Sequence, residues 1–331
     1  MRVALFDIHS YLAGTYSLFG FRETLKELGH EVSEFPFPGN AIQNVPAIAA
    51  TMPTITQLNE FDVVLVTYFE YVQPWLKAVY GFESWKCLRV PVIARFDESM
   101  DRGDLMLPSR VPELLQWANH YSFPGAQDAE KYKGHWHPCG ADTSIFYPDP
   151  ETPKKYDVGF IGTLYAHPLA NRQEYLQKLM PHVGKRTRVY CGGVLVQDIE
   201  GPNGLETAKR LAHNYRQIKI FFHFPPASRL LVEKAMQVIA CDTLVMYPRF
   251  PDNESNKNLS ILKHGKHIIY YDLGYYAQNG IQVKHLMENP EQVAEIAKAG
   301  GAYVREHHTL RKMMESIMAL ADGSKVEAAA G

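Results

Sequence analysis

The run SRLLVEKAMQVIACDTLVMYP, from Ser228 to Pro248, indicates the fold most directly. One face carries apolar residues at the helical spacing i, i+3, i+4 and i+7, namely Val232, Ala235, Met236 and Ile239. Ser228 can cap the start of this helix. The helix breaks near Cys241-Asp242, and a β-prone run follows at once. Its N-terminal turn should therefore lie near strand ends, where α/β sheets bind ligands.

Glu233 is the one carboxylate near the start of that apolar helix. A carboxylate there can accept both hydrogens of a vicinal diol, such as the ribose of a nucleotide. It tolerates partial burial only with such donors. The alternative is an ordinary helix glutamate, solvated or paired with Lys234 or Arg229.

The composition of the chain is that of an ordinary globular protein. Its 331 residues favour two domains over one core. A formal charge of −2 with scattered charges leaves no footprint for nucleic acid. The four cysteines form no CxxC, which favours a reducing compartment. With no leader-like N-terminus and no apolar run of membrane-spanning length, we expect a cytoplasmic protein.

Strands and helices alternate along the chain, which predicts two α/β domains with parallel sheets. In the first half, the run VALFDI is a buried strand, and the helix after it should stop at Gly29. The stretch Tyr147 to Tyr156, rich in proline and charge, has the composition of a linker. We therefore place the domains at 1–150 and 151–300, followed by a crossover helix and tail at 301–331. Within the last segment, Ala302 to Leu320 should form one long helix.

Neither common phosphate loop is present, because no GxGxxG follows the first strand and no GK[ST] ends a glycine-rich loop. Gly14, in the loop after the first strand, still permits close backbone approach to a ligand or simply makes a turn. His9 and Asp97 follow predicted strands at the ends where catalytic residues concentrate. His9 can act as a donor or base near neutral pH. The alternatives for Asp97 are helix capping or solvation.

The run GHWHPCGADTSIFYP places His135, His137 and Cys139 on one face of an extended segment. This spacing permits a zinc site. A plain strand explains the same alternation, and no further ligand cluster lies nearby, so we predict no metal.

Taken together, several segments resemble the GT-B glycosyltransferases, in particular the group 1 enzymes and the CgeB-like branch. The resemblance is carried by VEKAMQVIACDTLVMYP, HPCGADTSIFYP, YDVGFIGTLYAHPLANRQEYLQKL, LKHGKHIIYYD, ENPEQVAEIAKAG and HHTLRKMM. It implies two Rossmann-like domains facing a cleft, with the last helix crossing back to the N-terminal domain. It also implies that a nucleoside diphosphate sugar binds the second domain and that the first domain holds an unidentified acceptor.

The resemblance assigns roles to individual positions. Glu233 matches the family's ribose-binding glutamate, and the catalytic histidine of the first domain aligns with Phe96-Asp97, which favours Asp97. Diphosphate binding then depends on residues in the first turn of the second domain and at the starts of its helices, namely Gly162, Thr163, Arg172, Ser228 and Arg229. Lys263 is a further candidate.

The chain departs from the family at three positions. Pro225 stands where many relatives carry a second glutamate, and Thr163 stands where many carry a basic residue. Asp242 replaces the glycine that ends the family's helix and can adopt the same left-handed conformation. The resemblance implies a metal-independent hexosyltransferase without a tightly bound cofactor, with Arg172 stabilising the leaving diphosphate. The alternatives are a non-catalytic two-lobe nucleotide- or sugar-binding protein and a sugar nucleotide epimerase on the same fold. Oligomeric state is left open.

Overall fold

The computed structural model describes most of the chain. The described residues are 1–9, 16–38, 42, 44–100, 107–161, 166–167, 170–183, 189–192, 204–224, 230–249 and 257–322. They pack into two compact units. The first contains Met1–Pro138 and the chain from Leu310 onward, and the second contains Cys139–Thr309. The first unit thus ends before the proline-rich stretch that starts at Tyr147.

The first unit is built on one parallel sheet with the strand order β2-β1-β3-β4-β5-β6. Its strands are β1 (Arg2–His9), β2 (Glu31–Pro38), β3 (Val63–Val66), β4 (Val92–Arg95), β5 (His120–Phe123) and β6 (His135–Trp136). Its helices before Pro138 are α1 (Tyr16–Glu27), α2 (Val45–Ala49), α3 (Ile55–Leu58), α4 (Phe69–Tyr80), α5 (Phe82–Trp85), α6 (Leu107–Leu114) and α7 (Ala126–Lys131).

The second unit has a parallel sheet with the order β10-β7-β11-β12-β13 and a separate two-stranded pair, β8-β9. Its strands are β7 (Tyr156–Ile161), β8 (Ala166–His167), β9 (Ala170–Asn171), β10 (Val189–Gly192), β11 (Ile218–Phe222), β12 (Leu244–Arg249) and β13 (Ile269–Asp272). Its helices are α8 (Arg172–Val183), α9 (Gly204–Arg216), α10 (Glu233–Ala240), α11 (Tyr276–Glu288) and α12 (Pro290–His307). The last helix, α13 (Leu310–Met318), belongs to the first unit.

Both sheets are buried on two faces, as expected for parallel strands with helical crossovers. In the first unit, α13 and α1 cover one face, where Met314 and Ile317 pack with Leu5 and Leu65. An aromatic core fills the other face, with Trp75 stacked on Phe37. In the second unit, side chains of α8, α11 and α12 pack on the alternate residues of β7, β11 and β12. The parallel α/β fold predicted from the alternation is confirmed.

Local features also agree with the sequence pattern. Helix α1 ends before Gly29, whose φ of 83° is the left-handed conformation expected at a helix end. Asp242 follows α10 with a φ of 51°, so it does take the conformation that usually calls for glycine. Its carboxylate would lie 1.9 Å from a Cβ at position 301, which makes glycine necessary there as well.

Two predictions about helix limits are wrong. Helix α10 begins at Glu233 with the extended residue Val232 at its N-cap, later than predicted, and Ser228, the predicted cap, lies outside the described residues. Leu230 and Leu231, just before the helix, have buried side chains.

The final helical segment is likewise two helices rather than one, because the chain breaks at His308 and Thr309. There the carbonyl of His308 accepts the amide hydrogen of Ala141 at 2.9 Å, an interaction that sequence periodicity does not contain.

Candidate functional site

The carboxyl ends of the parallel strands in the second unit meet at one edge of the sheet, and α10 begins there. Glu233 is the first residue of α10 and is partly buried. Gln237, one turn along, donates from Nε2 to Oε1 of Glu233 at 2.7 Å. This bond fixes the direction of the carboxylate. A partly buried carboxylate so oriented is suited to accept hydrogens from a diol.

Three contacts hold the start of α10 at this edge. The buried hydroxyl of Tyr247, in β12, donates to the carbonyl of Leu230 and accepts from the amide of Val232 at 3.4 Å. Burial raises the pKa of Tyr247, which keeps its hydroxyl protonated and able to donate. The ammonium of Lys234 donates to the carbonyl of Ile161, the last residue of β7, at 3.2 Å. Glu233 is therefore placed between the ends of two strands that are far apart in sequence.

His223 lies at the same edge and was not singled out by the sequence. It follows β11 directly, is buried, and its ring lies 4.6 Å from the ring of Tyr247. Its Nδ1 lies 2.7 Å from the carbonyl oxygen of Phe224, so Nδ1 must carry the proton that is donated. Tyr271 donates its hydroxyl to the carbonyl of His223 at 2.7 Å. The sequence signal that could have identified His223 is its position directly after the apolar run IKIFF.

A guanidinium also stands at this edge, at the ends of β12 and β13. Arg249 donates from Nε and Nη2 to the two carboxylate oxygens of Asp272 at 2.8 and 3.1 Å. This bidentate pair holds the pKa of Asp272 below its usual value. Asn279 donates to the carbonyl of Asp272 at 2.8 Å, which ties the pair to α11.

The other residues predicted for nucleotide binding are placed less fully. Arg172 is the first residue of α8, although its side chain is outside the described part of the chain. Five further predicted positions lie outside the described residues altogether: Gly14, Gly162, Thr163, Ser228 and Arg229.

Lys263 is exposed in the turn that precedes β13 and therefore lies toward the amino ends of the parallel strands. The backbone amide of His267 donates to the carbonyl of Lys263 and closes this turn. The carbonyl of His267 packs on Gly300, which also lies beside Ile239, near the C-terminal end of α10. The structure thus does not bring Lys263 next to Glu233.

In the first unit, Asp97 is the second residue after β4, at the carboxyl edge of the sheet. The backbone amides of Asp97 and Glu98 donate to Oε1 of Glu70 at 3.1 and 2.9 Å. The hydroxyl of Tyr68, which follows β3 with a left-handed φ of 48°, donates to the Asp97 carboxylate. The second oxygen of Asp97 is buried and has no hydrogen-bond partner within the part of the chain that the structure describes.

Burial dominates the electrostatics of this carboxylate pair. It raises the pKa of Asp97, against the lowering effects of Arg95 and the Tyr68 hydroxyl. It also raises the pKa of Glu70 well above its usual value, and the negative charge of Asp97 adds to that effect. Two close carboxyl groups in a buried place resist double ionisation. Their arrangement suits proton transfer. Glu70 was not found from the sequence, because its position inside α4 resembles that of any helix glutamate.

His9 is the last residue of β1, and its side chain is outside the described part. Of the two histidines considered for zinc, His137 is engaged otherwise: its Nδ1 lies 2.9 Å from the hydroxyl of Ser122, and its Nε2 lies 3.1 Å from that of Ser316. Among the described residues, no group of three His, Cys, Asp or Glu side chains is arranged to hold a metal ion. Of the helices in those same stretches, none is both long and apolar enough to cross a membrane.

Residues 172–319 match the protein family described as glycosyl transferase-like, a stretch that runs from the start of α8 in the second unit to just past the end of α13 in the first. No curated protein sequence matches the chain significantly.

Solved structures match nearly the whole length of the chain. The structure of Anabaena HepE in complex with UDP and glucose has a TM-score of 0.68 at 12% identity, with 98% of this chain and 100% of that chain covered. Sucrose-phosphate synthase from Thermosynechococcus elongatus has a TM-score of 0.64 at 13% identity, with 98% of each chain covered.

An α-glucosyltransferase in complex with UDP-glucose and DNA containing an abasic site is also similar. Its TM-score is 0.62 at 11% identity, and the match covers 97% of this chain and 99% of that chain. At such identities the similarity establishes architecture. The chain therefore has the two-domain α/β fold of the GT-B glycosyltransferases, and its residues 172–319 match the glycosyl transferase-like family model.

Proposed function

We propose that the protein is a glycosyltransferase that moves a sugar from a nucleoside diphosphate sugar to an acceptor. The observation that carries the proposal is the position of Glu233, at the first turn of a helix held against the carboxyl ends of β7 and β12. The match of residues 172–319 to the glycosyl transferase-like family supports it. HepE binds UDP and glucose, so UDP is the first nucleotide to test.

In this proposal the second unit binds the donor. Glu233 accepts the hydrogens of the two ribose hydroxyls, and Gln237 keeps one of its oxygens in place. The diphosphate gains negative charge as the glycosidic bond breaks. Arg172 and the backbone amides at the start of α8 stabilise that charge in the transition state, which lowers the barrier without a metal ion.

In the first unit, Asp97 acts as the base of the reaction. Its raised pKa and its buried oxygen suit a base that takes the proton of an acceptor hydroxyl. Glu70 positions Asp97 by accepting the backbone amides of Asp97 and Glu98. The net charge of −2 gives no reason to choose a nucleic acid as the acceptor. We expect the reaction to take place in the cytoplasm, and the CgeB-like assignment stays a prediction.

A non-catalytic nucleotide-binding protein is the second candidate. The observation that favours it is Pro225, which replaces the second glutamate that many relatives carry. Binding of a nucleotide sugar without turnover is the behaviour that it predicts.

A panel of UDP-, GDP-, ADP- and dTDP-sugars tests both candidates. The purified protein is incubated with each donor, and chromatography follows release of the nucleoside diphosphate and the fate of the sugar. Slow donor hydrolysis that persists in excess chelator supports the transferase. Calorimetric binding without any turnover supports the non-catalytic protein, and an isomerised sugar supports an epimerase. If no donor binds or reacts, the proposal is wrong.

A further inference from the structure

A cavity lies in the second unit, away from the edge of the sheet where Glu233 lies. Its volume is about 400 Å³, and it opens at the amino ends of the strands, beside Lys154, Asp157 and Lys219. Asp242, after the C-terminal end of α10, also lines it. Glu233 begins the same helix of eight residues, so about 12 Å of helix separates the cavity from the candidate donor site.

The wall of the cavity is apolar. Six residues of α11 and α12 form it, namely Leu286, Met287, Pro290, Val293, Ala294 and Ala297. Three of these belong to the hydrophobic core of the unit, and here that core reaches the surface. Concave sites that are mainly apolar with a few placed polar groups are typical of small-molecule binding.

The carboxylates around the cavity are already neutralised. Asp157 accepts a hydrogen bond from the ammonium of Lys219 at 2.8 Å. Asp242 forms an ion pair with Arg305 at 2.6 Å. Each negative charge therefore has a cation in contact, and the remaining lysines give the cavity its excess charge.

That excess is positive. Lys154 donates its three hydrogens to uncharged oxygens: the carbonyls of Ile218 and Asp242 at 2.9 and 3.0 Å, and the hydroxyl of Thr243 at 2.8 Å. Burial lowers the pKa of Lys154 to about 8, so it stays mostly protonated at neutral pH. Lys298, exposed at the rim, has no hydrogen bond or ion pair with any other described residue. An anionic group at the rim would therefore form an ion pair with the ammonium of Lys298.

We propose that this cavity binds a small amphipathic monocarboxylate, with its apolar body against α11 and α12 and its carboxylate at Lys298. An apolar body matches the wall, and a single negative charge matches the ammonium of Lys298 at the rim, which no described residue neutralises. Because the cavity and Glu233 lie at opposite ends of α10, the ligand binds without competing with a nucleotide. This site does not depend on the protein's being a transferase.

Decanoate is the probe that tests the site, with calorimetry on the full chain. We expect saturable binding of one decanoate per chain, at least tenfold weaker binding of decanol, and an unchanged decanoate affinity in excess UDP. Ala294→Trp, at an exposed position of the wall, should fill the cavity and lower the decanoate affinity at least tenfold. Lys298→Glu should lower it by about tenfold.

Lys266→Glu is the matched control, because Lys266 is an exposed lysine of the same unit outside the cavity. It should leave the affinity within about twofold of the native value. Thermal unfolding of every variant verifies that the fold is retained. Absence of saturable decanoate binding overturns the proposal, as does displacement by UDP. Native affinity in both Ala294→Trp and Lys298→Glu would place the ligand elsewhere and overturn it too.

Discussion

The two units carry their candidate carboxylates in opposite ways. In the first unit, the buried Glu70 lies beside Asp97, which is partly buried with its Oδ2 shielded from solvent, and burial raises the pKa of both. In the second unit, Glu233 is partly buried on a helix start, and the side chain of Gln237 orients it. Burial changes proton affinity, whereas orientation presents a charged acceptor to a ligand. The roles proposed for the two units follow this difference: proton transfer for the first unit and nucleotide binding for the second.

The largest expected effect separates these two roles at Asp97. Asp97→Asn keeps the shape of the side chain but removes its charge and basicity. Sugar transfer should fall by about a hundredfold or more, while UDP affinity measured by calorimetry stays native. Glu98→Gln, one residue along, is the matched comparison and should keep most of the activity if Asp97 is the base. Native transfer by Asp97→Asn would move the first-unit site, with His9 and Glu98 next to examine.

The second prediction concerns pH and the first unit. Burial, and then the positive charges of Arg95 and His135, depress the pKa of His137 to about 3. This pKa lies below the value of about 6.5 expected in the unfolded chain, so the unfolded state takes up the proton first as the pH falls. The contribution of neutral His137 to the free energy of unfolding is therefore complete above pH 6.5 and is lost as the pH falls toward 3. Between pH 7 and pH 5 the native chain should lose about 2 kcal/mol of unfolding free energy through this group.

Urea denaturation at pH 7 and pH 5 measures the effect. The loss on acidification should be smaller by that amount in His137→Asn than in the native chain. The exposed histidine of α11 supplies the control, since His285→Asn should keep the native pH dependence. An equal loss in the native chain and His137→Asn would show that His137 does not resist protonation in the folded state.

The third prediction concerns binding by the second unit. Glu233→Ala removes two charge-assisted hydrogen bonds to a ribose, each contributing about 1.5 to 3 kcal/mol, so UDP affinity should fall by roughly tenfold or more. Glu291→Ala is the matched control, because Glu291 is also in the first turn of a helix in this unit and is exposed. Unchanged UDP affinity in Glu233→Ala would remove the ribose assignment.

The smallest expected effect tests orientation alone. Gln237→Leu preserves the size of the side chain but deletes its hydrogen bond to Glu233. The carboxylate stays charged, so UDP affinity should fall by only about threefold, which corresponds to one modest hydrogen bond. A loss as large as that of Glu233→Ala would mean that Gln237 itself contacts the nucleotide, and the contrast between the units would need revision.

The sequence by itself determined the alternation of strands and helices, the burial of Ala235, Met236 and Ile239 in α10, and the conformation of Asp242. These features depend on residues within a few positions of each other, so periodicity and turn chemistry report them. The same reasoning identified Glu233 and Asp97 as candidates because each stands beside a strand end.

Only the tertiary structure decided the features that depend on distant residues. The start of α10 at Glu233 depends on Tyr247, and the acceptor beside Asp97 is Glu70, 27 residues earlier in the chain. Lys263 was assigned to the nucleotide by resemblance, yet the direction of β13 places it toward the amino ends of the strands. Periodicity shows which face of an element is buried. Which side chains meet across the sheet depends on strand order and register, and these are fixed only when the whole chain packs.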